Sequence, residues 1–261
     1  MNENFSLEQL SPFGLIVKAN FPNAELNSVA THQLVDWVDE HRVVVLRGFA
    51  PLLSNALPAF GQKLGELLEW EFGAVNELTV KPDTRNYLYT NHAVPFHWDG
   101  AFINRVPHYI LFHCDDAPES GSGGETLFCD STRLLEFVDN ECKQLWGRIE
   151  ITYSTEKVVH YGGSFTSPLV TTHPISQAPV VRYAEPVADL NPVELAIKGI
   201  PASDHQDFIS DMNRRLYDPR YCYSHAWLKG DVVIADNFGL LHGRRAFQSK
   251  AARHIRRVNI L

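Results

Sequence analysis

The chain has 261 residues, of which 44% are hydrophobic and 21% charged, with a net charge of −8. That length and composition predict one folded domain spanning 1–261 and exclude a disordered chain. They also argue against nucleic acid as a partner, because the densest basic stretch, Arg253–Arg257, is too short to track phosphates.

In chain order, residues 26–41 set Val29, Leu34, Val35 and Val38 on one face of a predicted helix. The β-branched run at 42–49 closes on a glycine and predicts a buried strand. A second amphipathic helix is predicted over 54–69 and a loop over 80–86. Strands follow at Tyr109–His113 and, beyond the Gly-rich 121–124, at Thr126–Cys129. A helix is expected near 131–146, short β-rich pieces between 150 and 190, and a polar helix over 201–216. Asp231–Ala235 and Val258–Leu261 read as closing strands. Many short strands with few helices predict a mixed α/β fold, a jelly-roll or double-stranded β-helix core with flanking helices.

The first residues, MNENFSLEQLSPFG, lack the basic start and apolar run of a signal peptide. No stretch approaches the ~20 apolar residues of a membrane span. The cysteines at 114, 129, 142 and 222 form no CxxC pair and lack zinc-site spacing. Free, mostly buried thiols and a cytoplasmic location are therefore expected.

His97-Trp98-Asp99 is the most informative short motif. On a strand, residues two apart point to the same side, so an imidazole and a carboxylate can converge on one ion. A further histidine would complete a 2-His-1-carboxylate set, which leaves part of an iron(II) coordination sphere open. His242 is the candidate: it follows a predicted strand and an Asp236-Asn237 turn, and Gly243 permits close backbone approach. Either motif alone is weak in a chain with 12 histidines, and a core histidine at 242 is the plainer reading. Arg253, 11 residues beyond His242, and Arg257, four further on, change the balance. Their planar guanidinium groups suit a two-point grip on a carboxylate such as the far end of 2-oxoglutarate. In a strand Arg253 and Arg257 share a face and Arg256 points away, as expected of a solvated basic edge. Histidines 92, 160 and 173 read as ordinary hydrogen-bonded or surface residues, although the 160–161 region has the composition of a lid.

With HWD at 97–99, GGETLF at 123–128, His242, Arg253 and Arg257, the chain resembles the TauD/TfdA superfamily of iron(II)/2-oxoglutarate dioxygenases. WEFGAVNEL (70–78), VPFHWDG (94–100), FHCDDAP (112–118), VIADNFGLLHGRRAF (233–247) and RHIRRV (253–258) resemble its PvcB-type isonitrile-pathway branch. The resemblance implies that His97, Asp99 and His242 hold iron. It further implies that Arg253, with the Thr126 hydroxyl, binds the distal carboxylate of 2-oxoglutarate, and that Arg257 lies near the open face. It also implies the substrate, tyrosine isonitrile, and its oxidative decarboxylation with O2 to a vinyl isonitrile, succinate and CO2. Phe96, Trp98 and Phe102 could wall the substrate ring or be plain core. Two alternatives stay open at this point: another TauD/TfdA-type hydroxylase of a small carboxylate or sulfonate, and a non-enzymatic metal-binding jelly roll.

Overall fold

Val43–Leu46 and Val232–Ala235 are apolar at every position, where a strand with one wet face would alternate. Both runs are buried on two sides. Val44, Leu46, Val232 and Ile234 pack against Leu34, Val38, Leu57 and Phe60 from helices. Val43, Val45, Val233 and Ala235 pack the other way, onto Phe128 and Leu240 of a second sheet.

The computed structural model describes residues 4–261 apart from 54, 71, 85, 104, 159–160 and 249–251. A hairpin of β1 (Phe5–Gln9) and β2 (Leu15–Ala19) leads through a short 3-10 turn to α1 (Thr31–His41) and β3 (Val43–Arg47). Then come α2 (Ala56–Gly61), β4 (Val75–Leu78), β5 (Val94–His97), β6 (Tyr109–Asp116), β7 (Thr126–Asp130), α3 (Ser131–Glu136) and α4 (Asn140–Trp146). The middle holds β8 (Glu150–Val158), β9 (Tyr161–Pro168), β10 (Val170–Thr172), β11 (Pro179–Val181) and β12 (Glu194–Lys198). The chain closes with α5 (His205–Leu216), β13 (Cys222–His225), β14 (Val232–Asp236), β15 (Leu240–Arg244) and β16 (His254–Ile260).

A seven-stranded sheet, β1-β2-β3-β14-β6-β16-β4, faces a four-stranded one, β13-β7-β15-β5. All their pairings are antiparallel except β2 with β3. The small sheet's other face carries Leu127, Cys129 and Leu241 into a second core with Trp146, Tyr153 and Met212. This is a mixed α/β fold with several sheets. Among the described residues no helix is long and apolar enough to cross a membrane.

Several expectations need correcting. The helix expected over 54–69 stops at Gly61. A Cβ at Gly65 would come within 2.8 Å of Ile260 and 3.0 Å of the Leu261 carbonyl, so the segment turns to hug the end of β16. The helix near 131–146 is two, because the Asp139 carboxylate caps a new start by accepting from the Cys142 amide. Residues 26–41 likewise divide into a 3-10 turn at Leu26–Ser28 and α1. Arg256 is no solvated edge residue: β16 runs between β6 and β4, and Arg256 is 1% exposed. The cysteines are free, with Cys114 and Cys129 buried. His160 lies outside the described residues.

Candidate active site

β5 and β15 pair so that His97 and His242 are direct cross-strand neighbours, with ring centroids 4.3 Å apart. This close pairing depends on Gly243, where a Cβ would sit 2.7 Å from the Val94 carbonyl oxygen. Asp99 completes the group, but from beyond the strand: β5 ends at His97, and Asp99 lies in the turn that follows. The face rule of a strand is thus not what brings His97 and Asp99 together. The Asn237 side chain does so, accepting from the Asp99 amide at 2.9 Å and donating to the Asp99 carbonyl at 3.1 Å.

Asp99 Oδ1 lies 3.7 Å from His97 Nε2 and 3.8 Å from His242 Nε2. These gaps are too long for hydrogen bonds and suit an ion about 2 Å from each atom. His97 Nδ1 donates to the Pro95 carbonyl at 2.9 Å, which turns the lone pair of Nε2 toward the other two groups. His242 Nε2 is buried with no hydrogen-bond partner. Burial, then the neighbouring His97 ring, pushes His242 down to about 3. Burial also lowers His97. Burial alone would raise the Asp99 carboxyl, but Arg257, the two imidazoles and the Asn259 amide outweigh it and hold Asp99 at about 2. Two neutral imidazoles and one carboxylate are the protonation states a metal requires.

The cations arrive from the facing sheet. Arg253, Arg257 and Asn259 share the inward side of the β16 segment. Arg257 Nη1 sits 3.0 Å from Asp99 Oδ2, and Asn259 Nδ2 donates to the same oxygen at 2.8 Å. Arg253 donates through Nε to the Gly124 carbonyl at 3.0 Å, while its Nη1 is buried without a partner. Burial and then the nearby Arg244 lower it to about 9. A buried guanidinium beside a second cation calls for an anion. Thr126 lines the same small cavity, about 380 Å³, with Arg253, His242 and Arg257. Trp227 Nε1 donates to Thr126 Oγ1 at 3.0 Å, which leaves the hydroxyl proton free to donate onward.

A larger, mainly apolar cavity of about 800 Å³ opens on the other side of His97 and Asp99. Phe96, Trp98, Phe102 and Tyr153 are in its wall, and Arg257 borders both cavities. Besides Asn259, three groups escaped the sequence reading. Arg244 donates through Nη1 and Nη2 to the carbonyls of Leu88, Thr90 and His92 at 2.7–3.0 Å, fastening a segment whose Leu88 borders both cavities. Glu185 is a second carboxylate in the cavity wall, raised by burial; its Oε2 accepts from the Phe96 amide at 2.7 Å and the Tyr217 hydroxyl at 2.8 Å. Asn237 is the third. The position of Arg244 two residues after His242 was a usable signal, since both share a strand face; nothing local marked Glu185. His173, as expected of an ordinary buried histidine, is bonded to Asp236 at 2.9 Å.

Residues 6–259 match the profile described as "Taurine catabolism dioxygenase TauD, TfdA family". The chain belongs to this family. Within the TauD/TfdA family it is 45% identical to the 3-((Z)-2-isocyanoethenyl)-1H-indole synthase of Fischerella ambigua, over 98% of this chain and 96% of that protein. It is 35% identical to the tyrosine isonitrile desaturase of Pseudomonas aeruginosa, over 95% of this chain and 87% of that one. A solved structure of PvcB, described as an Fe, alpha-ketoglutarate dependent oxygenase from an isonitrile synthetic pathway, superposes with a TM-score of 0.83 at 32% identity. That superposition covers 100% of this chain and 93% of PvcB. The resemblance to the PvcB branch is thus borne out along the whole chain, and the chain is a dioxygenase of the TauD/TfdA family.

Proposed function

We propose that this dioxygenase uses iron(II), 2-oxoglutarate and O2 to convert an aromatic amino-acid isonitrile, tyrosine isonitrile, into a vinyl isonitrile. Counted from the free acid, the substrate loses CO2, one benzylic hydrogen and the carboxyl proton. 2-Oxoglutarate is oxidised to succinate and CO2, and the remaining oxygen atom leaves as water. The chain would act as one domain over 1–261, in the cytoplasm, with the facing sheets read as a double-stranded β-helix core.

The observation that carries this reading is the adjacency of two unlike cavities on either side of one triad. The small one ends on a guanidinium whose buried Nη1 has no partner, suited to a dicarboxylate; the large one is apolar and aromatic-walled, suited to a ring. His97, Asp99 and His242 would hold the iron, and the iron would supply the oxidising chemistry with O2 and 2-oxoglutarate. Arg253 grips the distal carboxylate of 2-oxoglutarate and Thr126 donates to it. Arg257, between the cavities, sits where the substrate's own carboxylate meets the metal shell and orients the bond that is to break. Phe96, Trp98, Phe102 and Tyr153 exclude water from the reacting carbon and hold the ring.

A second reading concerns the ring alone. The 45% identity to an enzyme named for an isocyanoethenyl indole favours a tryptophan-derived isonitrile over a phenolic one. Both rings carry one hydrogen-bond donor, and Glu185 is an acceptor in the cavity wall. Anaerobic protein loaded with iron(II) and 2-oxoglutarate should be mixed with either isonitrile and then exposed to O2. A product lighter by CO2 and two hydrogens, with one succinate per product, is expected; a hydroxylated product retaining the carboxylate would overturn the decarboxylative reading.

A further inference from the structure

A metal-binding carboxylate must present one chosen oxygen, and Asp99 stands where no sheet ladder holds it. Its main chain is held instead by a side chain. The primary amide of Asn237 accepts from the Asp99 amide and donates to the Asp99 carbonyl, as a neighbouring strand would, and also donates to the Pro107 carbonyl at 2.9 Å. Asn237 is itself anchored: its amide donates to the His108 carbonyl at 2.8 Å, and its carbonyl accepts from Arg182 at 2.8 Å.

The carboxylate is held from the opposite sheet. Asn259 Nδ2 donates to Oδ2 at 2.8 Å, closer than either Arg257 contact, and Asn259 is 1% exposed with its Oδ1 unpartnered. Oδ2 therefore takes the two shorter contacts, from Asn259 and Arg257. Oδ1, with only the longer Arg257 contact at 3.2 Å, faces the two imidazole Nε2 atoms at nearly equal distances.

We infer that Asn237 and Asn259 are positioning residues that grip Asp99 at two points, main chain and Oδ2, and so present Oδ1 to the metal. The inference rests on the reading of Asp99 as a metal ligand and goes beyond it, since it says how one sheet's turn and the other sheet's last strand jointly set the ligand's rotamer. It also explains why a buried asparagine at 259 is kept among the apolar residues Val258 and Ile260 despite its unpartnered oxygen. Partners of this kind tune affinity by about 10- to 100-fold when removed.

The test is a titration of the metal-free protein with Co(II), followed by its visible absorption, alongside thermal unfolding of the same metal-free samples. Wild type should bind one equivalent. Asn259→Leu, with the same number of heavy atoms branched at Cγ, should bind about 10- to 100-fold more weakly with an altered cobalt spectrum, while the metal-free midpoint stays within a few degrees of wild type. Asn237→Asp keeps the acceptor for the Asp99 amide but loses both donors, and should weaken binding about tenfold; it serves if Asn259→Leu does not fold. Wild-type affinity and spectrum in both variants would overturn the inference. So would a loss of affinity that merely tracks a loss of metal-free stability, which would mark the two residues as holding the fold alone. Failure of the wild type to bind one equivalent would instead sink the triad assignment itself.

Discussion

Arg253 and Arg256 lie three residues apart at the start of the last strand, both buried, and their surroundings are opposite in kind. Arg256 faces away from the sandwich interior and is fully used. It pairs with Asp115, with Nη2 at 2.9 Å from Oδ1, and donates to the Leu52 and Leu53 carbonyls at 2.6 and 3.2 Å. Arg253 faces inward, has one carbonyl partner, and leaves Nη1 buried with nothing to donate to. Burial does not distinguish them, at 1% and 7% exposure; the tally of partners does. A satisfied buried cation belongs to the fold, and an unsatisfied one marks where a ligand's charge is due.

The sharpest break of that contrast is at the metal. His97→Ala, Asp99→Ala and His242→Ala should each abolish O2-dependent succinate formation. Circular dichroism and the thermal midpoint should stay near wild type for the two histidine variants, since His242 Nε2 has no partner to lose. Asp99→Ala instead strips buried Arg257 and Asn259 of their acceptor and should lower the midpoint. Measurable succinate from any one of them removes that residue from the metal shell.

Next in size is Arg253→Ala. Loss of a buried charge-assisted pair costs about 2–5 kcal/mol, so the KM for 2-oxoglutarate should rise on the order of 30-fold or more. Thermal stability should hardly change, since an uncompensated buried cation goes with it. The contrast predicts the reverse for Arg256→Met: an unchanged KM for 2-oxoglutarate and a lower midpoint. Breaking a fully buried pair costs about 3–5 kcal/mol. Asp115 is 27% exposed and can rehydrate, so about 2 kcal/mol is expected, or about 4–8 °C. If Arg256→Met raised the KM while Arg253→Ala unfolded the protein, counting partners would be no guide here.

Thr126→Val should have the smallest effect. One hydrogen bond to a charged group is lost, for about 1–2 kcal/mol in the KM for 2-oxoglutarate; Trp227 Nε1 also loses its acceptor, which costs stability and not affinity. A larger penalty than that of Arg253→Ala would make Thr126, rather than Arg253, the main clamp.

What the sequence by itself determined is whatever depends on residues near one another in the chain. The two all-apolar runs at Val43–Leu46 and Val232–Ala235 declared strands buried on both faces. The alternation along β16 put Arg253 and Arg257 on one side and Arg256 on the other. HWD, His242 and the two arginines named the chemistry because each residue type is chemically constrained. Tertiary structure decided everything that needed a second surface. It set Asp99 in a turn held by Asn237, which is 138 residues away in the chain. It gave Arg256 its partner on β6, ended α2 early where Gly65 meets the end of β16, and brought Glu185 to the cavity wall. Periodicity reports which side of an element is buried, but the identity of the atoms waiting on that side is fixed only when two sheets close on each other.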